Sequence, residues 1–134
     1  MWKRTLLHDI RSSIKFLDDV GADNVGLLVD TYHWYTGGCT YEDIENLGKD
    51  RMFAIHLNDA PNLPVQELYD GLRVLPGEGV IDIKGFLRTV KKTGYDSFVA
   101  VEVLGPNQQE FVGLGPKAGA AKMKKLLENL LASI

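Results

Sequence analysis

Apolar positions along the 134-residue chain follow two different periods. Leu6, Leu7, Ile10, Ile14, Phe16 and Leu17 recur mostly at helical spacing, with Asp9, Arg11, Lys15 and Asp18 between them. That pattern predicts an amphipathic helix over about residues 3–20, ended by Gly21. Asn24–Asp30, Arg51–Leu57 and Ser97–Leu104 are instead short, nearly continuous apolar runs. Such runs read as strands buried on both faces, as in a parallel sheet. Between them, Thr31 to Thr40 is polar, aromatic and Gly-rich and reads as a loop. Thr40 suits the cap of a short helix through about Leu47, with Glu42 and Asp43 in its first turn. Ile81 to Thr93 is a second amphipathic helix, with Asp82 as N-cap and Gly94 as its stop. Met123, Leu126, Leu127, Leu130 and Leu131 form the stripe of a terminal helix over about residues 116–133.

Strands alternating with helices imply an α/β fold with parallel strands and right-handed crossovers. Residues 58–80 form one long connection with Pro61, Pro64 and Pro76. Connections of that length in a compact domain usually carry function or are disordered. No repeat or linker divides the chain, so it reads as a single domain.

Composition narrows the classes. The net charge of −3 argues against a nucleic-acid partner. The single Cys39 cannot form an internal disulfide, which makes a reducing cytoplasm the default compartment. No apolar run approaches the ~20 residues of a membrane span, and no signal peptide is recognisable.

Each apolar run carries a polar residue at or near its end: Asp30, His56 and Glu102. Parallel α/β folds build their sites at the carboxyl ends of strands. Two carboxylates and an imidazole suit Mn²⁺, Mg²⁺, Co²⁺ or Zn²⁺. His33 follows Asp30 by three residues, and Asp59 stands in the same relation to His56. Arg73 precedes Pro76-Gly-Glu-Gly79 and offers a guanidinium for a substrate oxygen or phosphate. Plainer readings stand beside these. Asp30 suits a turn cap, His56 a satisfied core histidine, Asp59 the closure of a Pro-containing turn, and Arg73 a solvated loop charge. Trp34 and Tyr35 suit core packing as well as a sugar platform. Cys39 reads as inert. Gly77-Glu-Gly79 lacks the spacing of a phosphate-binding loop, and no Ser sits in a nucleophile elbow.

Four segments in order carry a family resemblance: Leu28-Val-Asp30-Thr-Tyr-His33, Ala54-Ile-His56-Leu-Asn-Asp59-Ala-Pro61, Arg73-Val-Leu-Pro-Gly-Glu-Gly79, and Gly94-Tyr95 through Val101-Glu102. Together they resemble the xylose isomerase-like TIM-barrel superfamily, and more narrowly its sugar phosphate isomerase/epimerase branch. The resemblance implies the C-terminal part of a (β/α)8 barrel, strands six to eight. It implies one divalent metal, with Asp30, His56 and Glu102 as the second to fourth of four ligands. The first, a Glu, is expected on a strand preceding residue 1.

The implied chemistry is proton transfer on a sugar or polyol through an enediolate. Glu102 resembles one of the two glutamates that move the proton, and His33 a residue bonding substrate near the metal. Arg73 and Trp34 are further substrate-binding candidates. Endonuclease IV shares parts of the pattern. Its Asp-Arg-His motif, however, corresponds here to Gly71-Leu72-Arg73, which speaks against phosphodiesterase chemistry. A metal- or sugar-binding remnant without catalysis is the other alternative. Three parallel strands cannot close a barrel, so the open edges imply a homo-oligomer or an N-terminal half as partner.

Overall fold

The computed structural model describes residues 6–132 and 134. The parts of the expected terminal helices at residues 3–5 and 133 lie outside the described residues. Helix α1 (Ile10–Val20) starts later than its apolar spacing suggested. The Asp9 carboxylate accepts from the Ser12 N–H at 2.7 Å and fixes that start. Gly21, at φ 62°, ends it.

Strands β1 (Leu27–Asp30), β2 (Met52–Leu57) and β3 (Phe98–Val101) form a three-stranded parallel sheet in sequence order. Asp30 lies opposite His56, and His56 opposite Ala100. Side chains alternate between faces. One face therefore carries Val29, Ile55 and Leu57, all buried in the main apolar cluster with Ile44, Phe86 and Val90. The other carries Leu28, Ala54, His56, Phe98 and Ala100.

The expectation of strands buried on both faces is corrected here. Leu28 is 51% and Phe98 81% exposed. Helices pack on one face, while on the other Arg73 and Asn58 cover Asp30 and leave the apolar Leu28 and Phe98 exposed.

Two connecting helices have the caps their sequences suggest. Helix α3 (Tyr41–Leu47) opens on a capping box between Thr40 and Asp43. Helix α4 (Ile83–Lys92) is capped by Asp82, which accepts from the Gly85 N–H at 2.9 Å. Residues 31–36, expected as loop, are instead the short helix α2 (Thr31–Thr36). Its cap is Asp30 itself, so the turn begins inside what read as the strand's polar end. The last helix, α5 (Asn107–Leu131), begins earlier than expected and is broken at Gly115 (φ 72°), just before Pro116. Among the described residues no helix is long and apolar enough to cross a membrane.

Asp82 gives a pH-dependent prediction. The Gly85 N–H, then the Tyr41 hydroxyl, hold its carboxyl below the usual 3.8. Asp82→Ala should cost about 1 kcal/mol, a typical N-cap loss. An acid depressed by folding stabilises fully above its unfolded pKa and loses that contribution as pH falls through the folded one. Urea melts at pH 7 should separate the variant from the native protein, and the gap should close below about pH 4.

Candidate metal centre

The sheet brings three strand ends to one mouth. One ligand atom each from Asp30, His56 and Glu102 lies within 4.8 Å of the others. Bonds of ~2.0–2.2 Å to one cation set ligand atoms roughly 3–4 Å apart, so slight closure suffices. Two carboxylates and an imidazole fit a divalent ion and leave coordination positions open.

Asp30 is buried, and its two oxygens do different work. Oδ1 accepts from the Tyr32 and His33 N–H groups at 2.8 and 3.2 Å, capping α2. Oδ2 accepts from Asn58 Nδ2 at 2.9 Å and from Arg73 Nη1 at 2.8 Å. Cap and candidate ligand are therefore one residue. His56 Nδ1 lies 3.8 Å from Glu102 Oε2, and both side chains are partly exposed toward the mouth.

Arg73 is the centre of the polar network. It is 3% exposed and is not a solvated loop charge. All five of its N–H groups have acceptors. Nη1 donates to Asp30 Oδ2 and to Glu102 Oε2, the latter at 3.0 Å. Nε and Nη2 both donate to Asp70 Oδ1, at 3.2 and 2.6 Å. Nη2 also donates to His33 Nε2 at 3.0 Å, which puts the imidazole proton of a neutral His33 on Nδ1.

The guanidinium lies 4.9 Å from the centre of the Tyr32 ring. Burial opposes its charge, but the bonds to Asp70 and the nearby Asp30 outweigh it and hold its pKa above the ordinary value. Burial also pushes the Tyr32 phenol up to about 12, so its hydroxyl stays protonated and donates to the Tyr69 carbonyl at 2.8 Å.

Other sequence candidates have different places. Asp59 is fully buried and does not serve the mouth. Its Oδ1 accepts from the Ala60 and Ile81 N–H groups, and its Oδ2 from those of Gly77 and Gly79. Gly-Glu-Gly is thus a wrap around a carboxylate. Gly77 has φ 90°, and a Cβ on Gly79 would collide with Asp59 and the Ala60 carbonyl.

Trp34, which suited either core packing or a sugar platform, is buried. Its ring stacks on Tyr41 at 5.5 Å and meets Phe86 edge-on at 5.4 Å, inside the packing of α3 and α4. Its indole N–H donates to the Thr40 carbonyl. Cys39 accepts from the Ile10 N–H, and burial raises its thiol pKa, consistent with an inert role. A cleft of ≈390 Å³ beside the open edge of β1 reaches Asp30 and His33, large enough for a small ligand. Asp70 and Asn58 were not among the expected site residues. The three-residue spacing of Asp70 and Arg73 was the available signal.

Comparison with known proteins agrees with this geometry. The profile of the "Xylose isomerase-like TIM barrel" family matches residues 1–130. An inosose isomerase of Bacillus licheniformis is 37% identical over 87 residues, 65% of this chain and 31% of that protein. An inosose dehydratase of Lacticaseibacillus casei is 30% identical over 117 residues, 79% of this chain and 38% of its own length. A solved structure of IolI protein with a bound zinc atom superposes with a TM-score of 0.83 at 27% identity, covering 94% of this chain and 44% of that one. A xylose isomerase domain protein from Alicyclobacillus acidocaldarius gives 0.75 at 34% identity, covering 92% and 43%. The chain thus spans about a third of the curated relatives' length and under half of the solved ones. From its motifs, its parallel sheet and these matches, the chain belongs to the xylose isomerase-like TIM barrel family.

Proposed function

We propose that this chain supplies the metal-binding, proton-transferring wall of a sugar or sugar-phosphate isomerase/epimerase-type site. The convergence of Asp30, His56 and Glu102 at the carboxyl ends of three parallel strands carries the reading. The inosose isomerase and inosose dehydratase relatives support a polyol ketone as substrate class.

A divalent cation bound there would polarise a carbonyl oxygen and the adjacent hydroxyl oxygen of the substrate and acidify the proton on the hydroxyl-bearing carbon. Zinc in the IolI structure supports a divalent ion, with Mn²⁺, Co²⁺ and Mg²⁺ as the other candidates. Glu102 is the residue we assign to moving that proton. Its Oε2 is the oxygen that lies 3.8 Å from His56 Nδ1, which leaves Oε1 as the oxygen to take and return it. His33, its ring held by the Arg73 contact, is the residue we assign to bonding a substrate oxygen. The reaction is a proton transfer through an enediolate, with the proton returned to a neighbouring carbon or to the other face.

The test is exchange of the carbon-bound proton in D₂O, followed by NMR on inosose and a ketose panel, using the protein that carries this chain. Exchange that requires added Mn²⁺, Co²⁺ or Zn²⁺ is expected. Glu102→Gln should lower it by about a hundredfold or more, the scale of losing an acid–base group. Cation binding without exchange on any ketose would favour a binding module. No cation binding at all would remove both readings.

A further inference from the structure

The Asp70–Arg73 pair enters the chemistry above only through the His33 contact, yet its guanidinium lies against the mouth. Arg73 Nη1 bridges Asp30 and Glu102 at 2.8 and 3.0 Å, so one nitrogen of a fixed cation contacts two of the three candidate ligands. At 3% exposure this charge is poorly screened. An incoming divalent ion meets it at short range.

On the opposite edge of the guanidinium, Asp70 takes two donors on one oxygen. If Nη1 gives up the ligand carboxylates, the Asp70 and His33 contacts and the Tyr32 ring still hold Arg73 in place. Three carboxylates around one guanidinium also leave two formal negative charges, the complement of a divalent ion.

We propose that Arg73 competes with the cation for Asp30 and Glu102, and that Asp70 is the positioning residue that holds it back, so that the pair sets cation affinity. The proposal rests on the cation site described above. Without Asp70, the guanidinium has only the ligand carboxylates to balance it and grips them harder. Without Arg73, the cation has no rival.

Calorimetric titration with Mn²⁺ and Zn²⁺ alone tests this. Native protein that binds neither ion would remove the cation site itself. Native binding with altered variants bears on Arg73 and Asp70. Asp70→Asn should weaken binding about tenfold, and Arg73→Gln should tighten it by a similar factor. In the Arg73→Gln background, Asp70→Asn should then have little effect. A plain through-space charge effect of Asp70 would weaken binding equally in both backgrounds, and that result would overturn the proposal. So would weaker binding in Arg73→Gln. Should Arg73→Gln not fold, Asp70→Asn and Asp70→Glu decide. The half-exposed Asp70 tolerates change, and the Glu variant keeps the pairing charge. Unchanged binding in Asn or equal loss in both overturns the pair. Asp70→Asn in an Arg73→Lys background, which keeps the charge but not the guanidinium fork, should weaken binding far less than in the native protein, equal weakening again overturning it.

Discussion

Asp59→Ala should be among the most destabilising single changes in this chain. The Asp59 carboxylate is fully buried and accepts four backbone N–H groups, those of Ala60, Gly77, Gly79 and Ile81, at 2.8 to 3.0 Å. An orphaned buried N–H costs about 1–3 kcal/mol, so the two most buried alone imply a loss of about 2–6 kcal/mol. Set against the 5–15 kcal/mol of a typical domain, that is a large fraction.

Asp59→Asn should lose less, but still heavily. One of its two polar atoms becomes a donor facing N–H donors. The effect also reaches the site. The stretch between the Asp59–Val74 bridge and Gly79 fixes one end of the segment that bears Arg73. Urea melts of both variants check the stability. Hydrogen exchange at Gly77, Gly79 and Ile81 checks the location. A native midpoint in Asp59→Ala would show that water replaces the carboxylate without loss.

The second large effect is on cation binding. His56→Ala removes the only nitrogen ligand of the candidate set and leaves two carboxylates, each with one oxygen held by Arg73. Loss of an outer partner of a metal ligand costs ~10–100-fold in affinity, so loss of the ligand itself should exceed about a hundredfold. Stability gives an independent readout. A cation at a hundred times its dissociation constant raises stability by about 2.7 kcal/mol. Native protein should therefore melt higher with Mn²⁺ or Zn²⁺ present, and His56→Ala should show little or no shift. An equal shift in both would place the cation elsewhere. His56 is partly exposed, so the variant should fold without the cation and the comparison is clean.

Much of this molecule is decided locally. Apolar runs and periods located all three strands, α3 and α4, because those elements need only their own side-chain pattern and caps. The Asp82 and Thr40 caps and the Gly21 stop are near-neighbour chemistry and were legible for the same reason. Helix α2 was not. Thr31–Thr36 has no amphipathic period, and its helix depends on Asp30 turning back to cap it. The break in α5 at Gly115 was likewise hidden inside one helical stripe.

The candidate ligands were legible one by one, since each polar residue closes an apolar run. Only the parallel register, with Asp30 opposite His56, gathers them within 4.8 Å. Tertiary structure alone decided the roles of the long connection. It turned Asp59 into a four-bond anchor and buried Trp34 against Tyr41 and Phe86. It also carried Arg73 across forty-three residues of sequence to Asp30. Such contacts between distant residues leave no periodic trace, because the sequence records which groups are available and only the fold sets which of them meet.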